Sequence, residues 1–384
     1  MAFDRHAAQQ EQGSGGAWKQ KKKRTPESEE TRLSSGESVY DEYDAFDEET
    51  EEEGSDRKER GAGSRRRILL TLFCLVLIGA GFALMYADMN RTFRHGIYRA
   101  EDGRMMEAPA EPDSGKTAEL SAAINELAEK YPDVQQYMML VPSAACIQPS
   151  WLPDGAQVRD QKADLAQIRA AMPAGLHWVD LAGVFLDHTG EKLYYSSDIY
   201  LTGWGSRYAA RTAMTAMEVE IPEGKDTCYL LSNTFAGRLA KDRKPGLNLL
   251  EKKGERLEIY VPDGEAYYYR TDLQSGDWSG SLYDSGAAQS DQAYDVFFGG
   301  ERALTEIHTT RINGETLLVI GDRTADSIVP LFVSSFEHIY YMHPSKCTKT
   351  IDKLIKKYSP TKILYLYGAN EYMADRTLLR ALQK

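Results

Sequence analysis

The stretch 317–330, LLVIGDRTADSIVP, does most to limit what this chain can fold into. An aliphatic run from Leu317 to Ile320 stops at Gly321-Asp322, and Ala325, Ile328, Val329, Phe332 and Val333 then recur at helical spacing. The pattern predicts a strand over 317–320, a tight turn, and a helix over 324–336. Such a turn brings side chains to the carboxyl end of a strand, where open α/β sheets hold their ligands. It also brings them to the amino end of a helix, which favours negative charge.

The surrounding chain repeats that alternation. Leu120, Ile124 and Leu127 mark a helix over 116–130; 134–141 reads as a strand, 160–172 as a helix, 177–181 and 192–195 as short strands, and 203–217 as a helix. After the 317–330 stretch come a strand over 338–342, a helix over 348–358, a strand over 362–367 and a helix over 371–382. Alternating strands and helices predict an α/β domain with a parallel sheet flanked by helices, its site on one rim. Residues 228–310 break the rhythm. Turn signals at Pro262-Asp263-Gly264 and Ser275-Gly276-Asp277 separate strand-like runs at 257–261, 266–269 and 281–284, which predicts an antiparallel β insertion. Tyr267, Tyr268 and Tyr269 are either ordinary strand aromatics or a sugar-stacking face.

The N-terminal part has a different composition. Residues 1–67 carry a basic run at 19–24 and an acidic run at 41–53 with little periodic apolar pattern, so they read as a disordered tail. Tyr40, Tyr43 and Phe46 among the acids are a candidate docking motif for a cytoplasmic partner. Arg65-Arg66-Arg67 then opens an uncharged run at 68–87, whose 20 residues can span a hydrocarbon core of roughly 30 Å as a helix. The n-region is too long for a cleaved signal peptide and no A-x-A site follows. Six basic residues at 57–67 against four at 91–104 predict a cytoplasmic N-terminus, single-pass topology and an extracytoplasmic main domain. Residues 88–114, with Pro109 and Pro112, read as a linker, and 115–384 as the folded domain. The net charge of −12 argues against a general nucleic-acid binder. Cysteines number four, too few for a disulfide scaffold; nothing selects a pairing among Cys146, Cys228 and Cys347. No zinc ligand set is present, so neither metal nor cofactor is expected.

Several blocks together carry a resemblance: LVPSAACIQPSWLPDGAQVRDQ at 140–161, YYSSDIYLTGWGSRYAA at 194–210, SNTFAGRLA at 232–240, YDVFFGG at 294–300, the 317–330 stretch, and ILYLYGAN at 363–370. Their order resembles the DHHW family of Gram-positive bacteria, which is similar to the alginate O-acetyltransferase branch of the SGNH hydrolases. The resemblance implies an SGNH-like fold over about 115–384 and a cell-envelope role in polysaccharide chemistry. Active members of that wider group use a Ser–His–Asp set: the Ser follows Asp at the strand-to-helix turn, and the Asp and His come from Asp-His-His-Trp. Such a set removes the Ser proton, orients the imidazole and stabilises an oxyanion. Residue by residue, Asp198 matches the motif's Asp, but Ile199, Tyr200 and Leu201 stand for His, His and Trp. Asp322 matches the turn's Asp, Arg323 replaces the nucleophile, and Asp326 stands where members often have Asn. Thr202, Gly205, Gly299, Gly300, Gly321, Pro330 and Asn370 are kept.

Arg323 is always protonated and cannot be a nucleophile, and Tyr200, with an ordinary pKa of about 10, is a poor base. Losing both groups removes on the order of 10⁶ in turnover in Ser hydrolases. The residues therefore predict a degenerate catalytic site at Asp198, Tyr200, Asp322 and Arg323 on a membrane-anchored, non-catalytic protein. Ligand-binding candidates are Arg323, Asp326, Asn370 and Asp198, for an anionic envelope polysaccharide. Arg323 opposes a helix dipole and requires a partner, for which Asp322, Asp326 and Asp198 are the candidates. Two other readings stay open. One is an active carbohydrate esterase or O-acetyltransferase with relocated chemistry, drawing on Thr324, Ser327, Ser196, Ser197, His188 or His343. The other is a structural or morphogenesis protein acting through its tail.

Overall fold

The computed structural model describes residues 56–89, 92–224, 226–241, 254–262 and 267–383. Most of the expected tail, with Tyr40, Tyr43 and Phe46, lies outside the described residues. Its last part is helical: the helix Asp56–Met89 begins ahead of Ile68. Helices propagate easily from an existing nucleus, and the apolar run supplies one. Within it, the 23 residues Arg65–Ala87 contain an 18-residue window with a mean hydropathy of 2.7, long and apolar enough to cross a membrane.

The folded domain is built on an eight-stranded sheet. Its strands in chain order are β1 (Gln135–Val141), β2 (Leu176–Trp178), β3 (Tyr268–Asp272), β4 (Trp278–Ser279), β5 (Leu304–Thr309), β6 (Thr316–Gly321), β7 (His338–Met342) and β8 (Lys362–Gly368). Across the sheet the order is β2-β1-β8-β6-β7-β5-β3-β4. The first five strands are parallel, and β5, β3 and β4 extend the sheet antiparallel beyond β7. Strands β1, β6 and β8 are buried on both faces, as parallel strands under helices must be, and so read as continuous apolar runs. One face is covered by the helices Ser114–Lys130, Gln161–Ala171, Ile351–Tyr358 and Thr377–Gln383, which bury Leu120, Ile124, Leu165, Ile168 and Leu354. Each such side chain contributes about 1.5–3 kcal/mol. The other face packs on Leu181–Asp187, Gly203–Ala216 and the segment that follows β6, through Phe185, Ala209, Phe332 and Phe336.

The domain departs from expectation in several places. The 228–310 insertion is only half separate: Asp226–Phe235 pairs with Glu255–Pro262 as a two-stranded ribbon, whereas β3, β4 and β5 join the main sheet. No strand forms over 281–284 or 192–195; each has a single bridge, Tyr283 to Phe297 and Tyr194 to Leu201. The expected linker 88–114 contains three short antiparallel strands, Phe93–Arg94, Ile97–Arg99 and Met105–Glu107. Tyr98, Met105 and Met106 are buried, in an alternation too brief to stand out by periodicity. The helix Leu181–Asp187 was hidden by its length, although Asp180 caps it by accepting the Gly183 N–H at 3.1 Å. The helix expected over 371–382 is two, Ala369–Ala374 and Thr377–Gln383, because Asp375 restarts the chain by accepting from the Thr377 N–H at 2.8 Å and its hydroxyl at 2.5 Å.

The helix expected over 324–336 is a pair of 3₁₀ segments, Arg323–Ser327 and Val329–Ser334. Pro330 has no N–H to give the Asp326 carbonyl, so the chain closes three-residue bonds instead: Ile328 N–H to Ala325 O at 2.9 Å and Leu331 N–H to Ile328 O at 3.0 Å. Arg323 thus opens a short tight turn, not a helix with a sizeable dipole.

Candidate functional site

The site forms at the carboxyl ends of β6 and β8. The chain leaves β6 at Gly321, where a Cβ would stand 2.4 Å from the Leu366 carbonyl, so only glycine lets these backbones approach. Asp322 follows. Its Oδ1 accepts the Thr324 N–H at 3.1 Å and the Gly368 N–H at 3.3 Å, and its Oδ2 accepts the Thr324 hydroxyl at 3.2 Å. Burial pushes its carboxyl well above the ordinary value, and the charge of Glu371 adds to the shift against these hydrogen bonds. Asp322 fastens the turn to β8 and has no contact with the guanidinium of Arg323 among its hydrogen bonds.

Arg323 finds its partner elsewhere. Its Nη2 donates to Asp295 Oδ1, from the YDVFFGG block, and its guanidinium carbon lies 5.5 Å from the centre of the Tyr294 ring. Burial opposes the charge, but the Asp295 hydrogen bond together with the electrostatic pull of Tyr200, Asp326 and Asp295 outweighs it, so the guanidinium is held charged. Asp322, Asp326 and Asp198, the partners expected from sequence, are each committed otherwise. The reason is local: the turn aims the long Arg323 side chain towards the 293–300 loop.

Tyr200 is buried and stacks on Tyr294, with ring centres 4.2 Å apart and planes 19° from parallel. Burial raises its phenol above the ordinary value, offset in part by Arg323 and Arg238, so it stays neutral. Asp198 is also buried. Its Oδ1 accepts the Ile199 N–H at 2.7 Å and its Oδ2 the Arg238 N–H at 3.0 Å. Burial raises its carboxyl, against those two bonds. The close approach needs Gly237, whose Cβ would lie 2.4 Å from that of Asp198.

Tyr200, Arg238, Asp322, Arg323, His343 and Glu371 line one cavity of about 310 Å³. Asp198, Thr324 and Asn370 line a narrower neighbouring cleft that shares Glu371. Two of the ligand candidates are turned inward. Asn370 uses its whole amide: Nδ2 donates to Glu107 Oε2 at 2.8 Å and the Ala108 carbonyl at 2.9 Å, and Oδ1 accepts from the Ala110 N–H and Gln161 Nε2, both at 2.9 Å. It pins the N-terminal strands to the rim. Asp326 is buried, with Oδ1 accepting the Tyr341 hydroxyl at 2.7 Å and lying 3.1 Å from His343 Nε2.

Relocated hydroxyl chemistry meets the same obstacle. Ser196 and Ser197 donate to Glu255 at 3.0 and 2.6 Å, Ser327 bonds Ser206 at 2.8 Å, and Thr324 bonds Asp322. His188 sits at the end of Leu181–Asp187 beside Glu191 and Tyr208, and does not line the cavity. His343, in contrast, is buried in the cavity wall and not at the surface, because the chain turns inward there between Met342 and Pro344. Asp295, Arg238 and the His343–Asp326 pair are the components that sequence reasoning missed. Asp295 and Arg238 lie inside blocks that carried the resemblance, which was the only available signal. Among the described residues no group of three or more metal-ligating side chains converges.

Residues 97–240 match the family model for the SGNH hydrolase-like domain of the acetyltransferase AlgX. The chain carries an SGNH-like domain. In fold it is similar to a DHHW family protein from Eubacterium siraeum, at 20% identity and a TM-score of 0.63, covering 75% of this chain and 95% of that one. It is also similar to PatB1 of Bacillus cereus, at 19% identity and a TM-score of 0.59, covering 73% and 98%. A second PatB1 structure, with a sulfonyl adduct, matches at 20% and 0.59, covering 73% and 97%. No curated protein matches the chain. The fold expected from the resemblance is the fold observed, and the family model begins at residue 97, inside the expected linker, where the buried strands begin.

Proposed function

We propose that this is a non-catalytic SGNH-like protein of the bacterial cell envelope. It is held in the membrane by Arg65–Ala87, with its N-terminus in the cytoplasm and its domain outside, and it serves a binding or accessory role in surface polysaccharide modification. The observation that carries the reading is the state of the turn after β6. Arg323 stands where the resemblance puts a nucleophile and is paired with Asp295, while Tyr200 stands where it puts the base and is stacked against Tyr294. Neither can begin acyl transfer. The cavity is kept, lined by Arg238 and Arg323, and suits the binding of a polar chain end.

A second reading has one observation in its favour. The buried His343–Asp326 pair in the cavity wall has the orienting geometry of a catalytic dyad and would serve an active esterase or O-acetyltransferase. Covalent labelling separates the two. The full chain in detergent micelles is treated with an aryl sulfonyl fluoride and with an activated acetyl ester, and intact mass is read beside that of an Arg323→Ser/Tyr200→His variant. No adduct on the natural chain, with labelling of the variant, is the expected result. An adduct on the natural chain that is lost in His343→Gln overturns the non-catalytic reading and establishes the second.

A further inference from the structure

Among the described residues, the sheet extends beyond its helical cover. On the face packed by Ser114–Lys130 and Ile351–Tyr358, the cover reaches Leu304 at one end of β5 and Leu273 just past β3, while further along β7 it ends at Tyr340, stacked on Tyr358 with ring centres 3.9 Å apart. Past β7 the strands β5, β3 and β4 continue. The register fixes what they present on that face. One cross-strand row is Trp278, Thr271, Glu306 and Tyr340, opposite one another in β4, β3, β5 and β7. The next is Tyr269, His308 and His338. Tyr267 precedes Tyr269 by two residues, hence on the same side.

These rows are ring-rich and open. Tyr267 is 81% exposed, Trp278 75% and Tyr269 45%. The rings form a ladder: Tyr269 to His308 at 5.2 Å, His308 to His338 at 4.5 Å, His338 to Tyr340 at 6.2 Å with planes 9° apart. Hydrogen-bonding groups lie between them: the Glu306 carboxylate, which accepts the Tyr340 hydroxyl at 2.8 Å, and the two imidazoles, with Nδ1 atoms 3.1 Å apart.

We propose that this uncovered face is a docking platform for a neutral glycan chain of flat pyranose rings with equatorial hydroxyls. Such rings offer C–H faces to aromatic side chains and hydroxyls to the polar groups between them. The composition of the face selects the occupant. Glu306 and the two imidazoles stand in the middle of the two rows, between the rings, whereas the core of a protein interface is depleted of charged side chains. No Lys or Arg occurs in them, and Glu306 is their formal charge, which disfavours anionic glycans and anionic headgroups. The proposal extends the binding reading to a second surface and does not depend on the cavity at Arg323.

Isothermal titration calorimetry of the full chain in micelles with cellohexaose and chitohexaose provides the test. Binding of at least one of them is expected, weakened at least about tenfold in Trp278→Ala/Tyr269→Ala and unchanged in Arg323→Ala. Trp278 is largely exposed and Tyr269 nearly half exposed, so the variant folds, which near-ultraviolet circular dichroism verifies. No heat with either hexasaccharide overturns the proposal. So does binding that survives the double substitution, or binding lost only in Arg323→Ala, which would place the sugar in the cavity. A variant that changes only self-association in ultracentrifugation, or only flotation with phosphatidylcholine vesicles, overturns it in favour of a second copy or the membrane surface. An adduct in the labelling experiment would remove the non-catalytic reading and leave this platform standing.

Discussion

The Arg323–Asp295 pair is the point at which the site can be tested by energy. Substituting Asp295→Asn keeps the shape and removes the charge; Arg323→Met keeps the length and the contact with Tyr294 while removing the guanidinium. A hydrogen bond between charged groups contributes about 1.5–3 kcal/mol. The two side chains are 21% and 30% exposed, so solvent screens part of that. The coupling between them should therefore be about 1–2 kcal/mol. Each single variant should cost that much or slightly more, because it leaves a half-buried partner behind, whereas the double variant should cost less than the sum. The assay is guanidinium unfolding of the four proteins in micelles, followed by intrinsic fluorescence, with melting as a check at roughly 2–4 °C per kcal/mol. In 1 M salt the coupling should fall only modestly, since the pair is not a surface one. A coupling below about 0.3 kcal/mol would mean that the short contact holds nothing, and that Arg323 is available to another anion.

Asn370→Ala removes four hydrogen bonds that tie residues 107–110 and Gln161 to the rim, and should cost about 2–3 kcal/mol. Amide exchange should quicken over 105–110 before the rest of the domain; uniform exchange would show that the N-terminal strands are held by other contacts. Asp322→Asn tests the half-buried carboxyl at the turn. Its folded-state pKa is raised, so its favourable contribution is complete below the unfolded value near 4 and is lost as pH rises through the folded value. The stability of the natural protein relative to the variant should thus fall as pH rises above about 4, and a difference that is flat or rises with pH would contradict the assignment.

What was legible in the sequence was what repeats. The parallel half of the sheet announced itself because β1, β6 and β8 are buried on both faces and read as unbroken apolar runs. The antiparallel half was legible only in part: the expected run at 266–269 overlaps β3, but β5 lay outside the expected runs and β4 has two residues. The 317–330 stretch displayed helical periodicity yet formed 3₁₀ turns: spacing records which side chains are buried, whereas Pro330 decides which hydrogen bonds can close. In the site, Asp198, Tyr200, Asp322 and Arg323 could be placed by motif. Asp295 could not, since an ion pair between residues 28 apart in sequence leaves no spacing to read. The pairing of His343 with Asp326 left no spacing to read either, since the burial of a residue after a strand depends on what the next loop packs against.

The two departures from the family pattern meet in space. Tyr200 stacks on Tyr294, and Arg323 lies over that same ring while pairing with Asp295, the next residue in the loop. Neither is a lone substitution that a single reversal would undo. Arg323→Ser alone leaves Asp295 without its cation and strips one contact from Tyr294. Tyr200→His alone exchanges a buried phenol for a smaller ring beside Arg238 and Arg323, whose charges hold an imidazole neutral. Each change should cost about 1–3 kcal/mol through lost packing and an unpaired charge. The pair should cost measurably less than the sum, because once Arg323 is gone an imidazole at position 200 no longer faces that charge. The same unfolding assay decides the matter. Costs that add within about 0.5 kcal/mol would mean that Arg323 and Tyr200 act independently, without coupling through Tyr294. A clear saving in the double variant would mean that the aromatic and the cation hold each other in place through Tyr294, so that the cavity wall is built as one coupled unit.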